Sequence, residues 1–223
     1  MNLVEYPDRD MLAIDLANCL AGELKAHLLS HDSASLAVPG GTTPGPIFDD
    51  LCAADLDWDR VHVFPTDERW VPQDHPRSNG RLICERLITD RASSARFLPL
   101  YAPAENPEYT LAEIEAMLLP ELPISVLLLG MGTDMHVASL FPGVEGLAAA
   151  LDPDAPVLAV LRPGAVPEPR VSLTARVLDG AMSKHLVIYG DEKRAALERA
   201  MTLPPEEAPV QAVLTGATVH WAQ

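Results

Sequence analysis

A chain of 223 residues has room for one substantial α/β domain and not for two of ordinary size. Hydrophobic residues make up 48% of it, enough for a packed core, which excludes a disordered chain. With 32 acidic residues against 16 lysines and arginines, the net charge of -16 argues against nucleic acid or an anionic membrane as partner, because both need a basic face.

The opening residues, MNLVEYPDRD, are acidic and lack the apolar run of a signal peptide. From Asp8 to His31 the apolar residues Met11, Ile14, Ala17, Leu20, Leu24 and Leu28 recur near the helical period and predict a covering helix. A short strand over Ser35 to Val38 runs into Pro39, Gly40, Gly41, Thr42, Thr43 and Pro44, after which Ile47, Phe48 and Leu51 resume a helical spacing. Strand, glycine-rich turn and helix together aim free N–H groups at an anion, although the turn alone also reads as an ordinary one. It is neither a P-loop nor a dinucleotide fingerprint.

Val61 to Pro65 is the next strand and delivers Thr66, Asp67, Glu68, Arg69 and Trp70. A polar loop over Pro72 to Asn79 and a helix over Gly80 to Ile88 follow. Arg91 to Pro123 reads as a connecting region with an apolar patch at Phe97 to Tyr101 and a helix through Leu111, Ile114, Leu118 and Leu119. Val126 to Leu129 is a buried strand closed by Gly130 and Gly132. Asp134 and His136 come next, then a helix-like start over Val137 to Phe141, stopped by Pro142 and Gly143. Val157 to Leu161 reads as a strand, and a Pro/Gly-rich loop from Arg162 to Pro169 leads to Arg170 and RVSLT. His185 to Tyr189 is another strand, Gly190 to Lys193 open a helix through Leu197 to Met201, and Val210 to Leu214 closes the series as the last strand.

This alternation predicts an α/β fold of a single domain over residues 1–223: a doubly wound, mostly parallel, Rossmann-like sheet with helices on both faces. Right-handed crossovers put all its strand-to-helix turns on one edge. That edge would gather Gly40 to Thr43, Asp67 to Arg69, Asp134 to His136, and Gly190 to Lys193. It would thus hold an anion cradle, an arginine, a lysine, carboxylates and a histidine. Cys19, Cys52 and Cys84 are isolated and without CxxC pairing, so reduced thiols are expected rather than disulfides or a metal site. No window approaches the ~18 apolar residues of a membrane span. A cytoplasmic protein without metal or cofactor is the expectation.

PGGTTP, FPTDERWVPQDHPRSN, LLLGMGTDMHVASLFPG, RVSLT and GDEKR, in this order, resemble the 6-phosphogluconolactonase family over nearly the whole chain. GGTTP is shared with the related glucosamine-6-phosphate deaminases. Those would carry an Asn-Glu-Pro-Gly tail after the histidine, whereas Ser139 to Gly143 favours the lactonases. The resemblance implies hydrolysis of 6-phospho-glucono-1,5-lactone in the oxidative pentose phosphate pathway without metal or cofactor, by a monomer or weak homo-oligomer. An ester carbonyl needs an activated water and a stabilised oxyanion, and an imidazole, with an ordinary pKa of ~6.5, is a base near pH 7. His136 is therefore expected to take the water proton, held by Asp67 or Asp134. Gly40, Gly41, Thr42, Thr43, Arg170 and Lys193 are expected at the phosphate, and Arg69 at the phosphate or the carbonyl.

One residue departs from the family pattern. Met135 stands where glycine is usual. It would cost about 1–2 kcal/mol if the position has positive φ, or crowd the sugar if it borders the site. Two other readings remain open: a deaminase or isomerase acting on an amino-sugar phosphate, and a sugar-phosphate-binding module with impaired turnover.

Overall fold

The computed structural model describes residues 1–164 and 168–223. The middle of the expected loop from Arg162 to Pro169 lies outside the described residues. The chain opens with strand β1 (Asn2–Glu5), helix α1 (Arg9–Leu28), strand β2 (Ala34–Val38), helix α2 (Gly45–Leu51), and strands β3 (Val61–Pro65) and β4 (Asp67–Arg69). Helix α3 (Asn79–Arg86), strand β5 (Arg96–Phe97), helix α4 (Leu111–Leu118), strand β6 (Val126–Gly130) and helix α5 (Leu147–Leu151) follow. The last third holds β7 (Leu158–Leu161), β8 (Arg170–Leu173), α6 (Ala175–Asp179), β9 (Ser183–Tyr189), α7 (Gly190–Ala200) and β10 (Thr218–Ala222).

Seven strands form one sheet in the order β1-β10-β9-β6-β2-β3-β5, and every pairing in it is parallel. Its central strands are buried on both faces, which is why β6 reads as an unbroken apolar run and β2 as one interrupted only by the buried Ser35. Alternate residues feed opposite layers. Leu36, Val38, Val126 and Leu128 join a core with α1, α2 and α3, while Ala37, Leu127 and Leu129 join a core with α4, α5, α6 and α7. On α1, Leu12, Leu16, Leu20, Leu24 and Leu28 are buried at four-residue spacing. Each contributes about 1.5–3 kcal/mol of transfer free energy. The Asp8 cap, which accepts from the Met11 N–H at 2.8 Å, adds about 1 kcal/mol, so packing rather than capping holds this helix.

The chain winds from β2 outward through β3 to β5, and from β6 the other way through β9 to β10. The adjacent strands β2 and β6 therefore flank the point where the winding reverses. A crevice opens there between the turns that follow the two strands. This is where both glycine-rich turns sit.

Several expectations need correction. Val157 to Leu161 does not belong to the wound sheet: β7 pairs antiparallel with β8, and β8 with β4, in a second sheet. Asp67 to Arg69 is accordingly a strand rather than a strand-to-helix turn. Val210 to Leu214 is not the last strand. Pro209–Val213 is a 3₁₀ helix, and its spacing of three turns Val210 and Val213 into the same core. The terminal strand is β10, hidden in the sequence by the buried polar His220. Val137 to Phe141 forms a tight turn closed by a bridge between Val137 and Leu140, not the start of a helix. Among the described residues no helix is long and apolar enough to cross a membrane.

Candidate active site

The turn after β2 is shaped by two glycines for different reasons. Gly41 has φ +84°, in the region that favours glycine. A side chain at Gly40 would run into the carboxamide of Asn79. Among the described residues, the N–H groups of Gly41, Thr42 and Thr43 donate to no protein acceptor. Helix α2 has only seven residues, so these turn donors, more than the helix dipole, are what an anion would meet.

Across the crevice, β4 and β8 set Arg69 directly opposite Arg170. Like charges at cross-strand positions destabilise a sheet by roughly 0.2–1 kcal/mol, a cost that an anion placed between them would offset. Burial, and then the charge of Arg69, push the guanidinium pKa of Arg170 down; nearby Arg77 adds to this and Asp67 opposes it. The Nε atoms of both arginines are buried without a partner. Arg69 is steadied by donating from Nη1 to the Arg77 carbonyl at 2.6 Å. Lys193, in the first turn of α7, is half-buried, and burial alone pulls its ammonium pKa down. Among the described residues no carboxylate offsets that. In a chain of net charge -16, this is a local excess of positive charge.

The turn after β6 supplies the imidazole. Nδ1 of His136 lies 2.5 Å from Oδ1 of Asp134, and the ring packs tilted against Phe141 at a centroid distance of 4.3 Å. A carboxylate only accepts, so Nδ1 carries hydrogen and Nε2 is free. A Cβ at Gly132 would collide with both the ring and the Asp134 carboxylate, so the pair folds over the space that glycine leaves. Asp67 does not touch His136. Its Oδ2 accepts from the Ser139 hydroxyl at 2.5 Å and its Oδ1 from Thr66 at 3.3 Å.

One cleft of about 420 Å³ is lined by Gly40, Gly41, Thr42, Thr43, Asp67, Arg69, His136, Arg170 and Lys193. Asp134 is not in its wall. That carboxylate is half exposed and reaches the cleft only through the histidine.

Sequence reasoning did not single out Asn79, Ala138, Phe141 or Ser139 as site residues. Asn79 lines the cleft and donates to the Asp67 carbonyl at 2.7 Å, leaving its Oδ1 buried without a partner. It is held there by Glu68. Burial pushes the carboxyl pKa of Glu68 up, and bonds from the N–H groups of Arg69, Asn79 and Gly80 and from the Ser78 hydroxyl oppose that shift. Ser78, the helix-capping residue ahead of an Asn-Gly pair, is the signal that marks this start of α3.

Met135 has φ +67°, so the strained alternative applies and the crowded one does not. Its side chain packs against the core rather than lining the cleft. Its backbone is tied by bonds to Gly132 and from Val210, each 3.0 Å. In Met135→Gly, relief of about 1–2 kcal/mol of left-handed strain is offset by lost packing and by glycine's entropy of about 0.5–1 kcal/mol. We expect a net shift in denaturation free energy below about 1 kcal/mol, with kcat and KM for the lactone within about twofold of the parent. A larger change in kcat would mean that the side chain does act on the site.

Similarity to known proteins covers the same ground. A model of the family described as Glucosamine-6-phosphate isomerases/6-phosphogluconolactonase matches residues 7–221. The 6-phosphogluconolactonase of Mesorhizobium japonicum is 41% identical over 226 residues, spanning 97% of this chain and 93% of that protein. That of Pseudomonas aeruginosa is 41% identical over 212 residues, spanning 92% and 88%. The crystal structure of a 6-phosphogluconolactonase from Shewanella baltica superimposes with a TM-score of 0.95 at 29% identity, covering 100% of this chain and 98% of that one. Sharing their sheet and nearly their whole length, the chain belongs to the glucosamine-6-phosphate isomerase/6-phosphogluconolactonase family.

Proposed function

We propose that this chain hydrolyses 6-phospho-D-glucono-1,5-lactone to 6-phospho-D-gluconate. The observation that carries this reading is one cleft holding both a free imidazole nitrogen and a cluster of three cations, Arg69, Arg170 and Lys193. A sugar ester with a phosphoryl group at its far end needs both. Arg170, Lys193 and the N–H groups of Gly41, Thr42 and Thr43 take the phosphoryl oxygens, and Arg69 completes the cationic wall. Asp67, fixed by Ser139, accepts from sugar hydroxyls.

The lactone carbonyl then lies toward His136. Nε2 removes a proton from water as its oxygen bonds to C1, and Asp134 stabilises the imidazolium that forms. Charge growing on the carbonyl oxygen is met by the positive field of the cleft. As the bond from C1 to the ring oxygen breaks, the departing alkoxide takes the proton from His136. The imidazole ends as it began.

A coupled assay on freshly made lactone tests this reading. Hydrolysis well above the spontaneous rate is expected, with no ammonia released from glucosamine 6-phosphate. A melting temperature raised by 6-phosphogluconate with hydrolysis at the spontaneous rate would instead indicate a binding module.

Lys193 adds a pH dependence. With its pKa lowered by burial, the ammonium gives up its proton at a lower pH than an ordinary lysine, whose value is ~10.4. Affinity for 6-phosphogluconate, measured by calorimetry, should therefore weaken as pH rises through that lowered pKa. Lys193→Arg should hold affinity through the same range. Affinity that stays flat to pH ~10.4 in the parent protein would remove Lys193 from the phosphate site.

A further inference from the structure

Away from the cleft, a second cluster of chemistry-bearing side chains joins α1 to the opening residues of β9. Cys19 and Glu23 stand one turn apart on α1, and His185 is the third residue of β9, at the opposite end of that strand from Lys193. One ligand atom from each of the three lies within 4.8 Å of the others. The Cys19 Sγ is 3.9 Å from Oε1 of Glu23, and Nε2 of His185 is 2.8 Å from Oε2. A tetrahedral zinc ion spaces its ligand atoms roughly 3.3–3.6 Å apart, so the set would draw in slightly around a bound ion.

A second feature points the same way. The Asp15 carboxylate can only accept, so the Tyr6 hydroxyl donates to it, at 2.7 Å. Tyr6 therefore accepts from Nδ1 of His220 at 2.9 Å, and Nε2 of His220 accepts from Nδ1 of His185 at 3.0 Å. This relay presents Nε2 of His185 to Glu23 with its tautomer already set, the way outer carboxylates orient metal-bound histidines. The Glu23 carboxylate and Nε2 of His185 face each other at 2.8 Å, on the side of the ring turned away from His220. Ser183 is beside both, with its hydroxyl 2.6 Å from Oε2 of Glu23 and 3.1 Å from Nε2 of His185.

We propose that Cys19, Glu23 and His185 form a binding site, separate from the cleft, for a zinc-like divalent cation. Thiol with imidazole selects zinc or cobalt over magnesium or calcium. Cys19 and Glu23 are only partly buried, which leaves an entry path and a fourth position for water.

Cobalt(II) titration of the chelator-treated full-length protein tests the site. We expect one equivalent to produce a sulfur-to-cobalt charge-transfer band in the near ultraviolet and visible bands of tetrahedral intensity. Cys19→Ala should abolish the charge-transfer band, and it keeps a good helix former on α1. Cys84→Ala should retain the band. His185→Gln should weaken zinc binding at least tenfold; circular dichroism matching the parent shows that it folds. Absence of the band in the parent, or its survival in Cys19→Ala, overturns the proposal.

Discussion

Replacing His136 with Asn is expected to lower kcat for lactone hydrolysis by about 10²–10⁴-fold while KM moves by no more than about threefold. The asymmetry follows from the site's division of labour. In the proposed reading His136 acts on the water and the scissile bond, and the substitution leaves in place the cations and turn donors proposed to hold the phosphoryl group. Nδ1 is already committed to Asp134 at 2.5 Å, so no other ring position can serve as the base. Removing the imidazole removes an interaction made in the transition state. Stopped assays on fresh lactone, corrected for spontaneous opening, give both constants. A kcat within about threefold of the parent would remove the base assignment.

Lys193→Ala should show the opposite split. A hydrogen bond to a charged group contributes about 1.5–3 kcal/mol, which corresponds to roughly 10–150-fold in affinity. Lys193 is half-buried, and among the described residues no carboxylate offsets the cost of burying its charge, which fits the proposed role of binding a ligand anion. KM for the lactone and Kd for 6-phosphogluconate should both rise by that range, with kcat changing far less. The weakening should grow smaller at high salt, since the lost term is electrostatic. An unchanged KM would place the phosphoryl group elsewhere.

The parts of this protein that the sequence makes legible are those governed by local pattern. The leucine spacing on α1 and the largely apolar runs of β2 and β6 reflect burial on one stripe or on both sheet faces. Both glycine turns are readable because left-handed backbone and close approach both demand glycine. What escaped depends on contacts distant in the chain. β4 and β8 are about a hundred residues apart, and only their pairing sets Arg69 against Arg170. β1 is a short, mostly exposed edge strand with little hydrophobic signal. The choice between Asp67 and Asp134 was also closed to pattern reasoning. It rests on the left-handed turn at Met135, which folds the ring back over the space above Gly132.

The most direct measurement is a crystal structure of the protein with 6-phosphogluconate bound. The phosphoryl group should lie against Lys193, Arg170 and the Gly41 to Thr43 turn, with the C1 carboxylate about 3–3.5 Å from Nε2 of His136, directly or through one water. A product molecule bound the other way round, with its phosphoryl group at the histidine, or bound outside the cleft, would contradict the account.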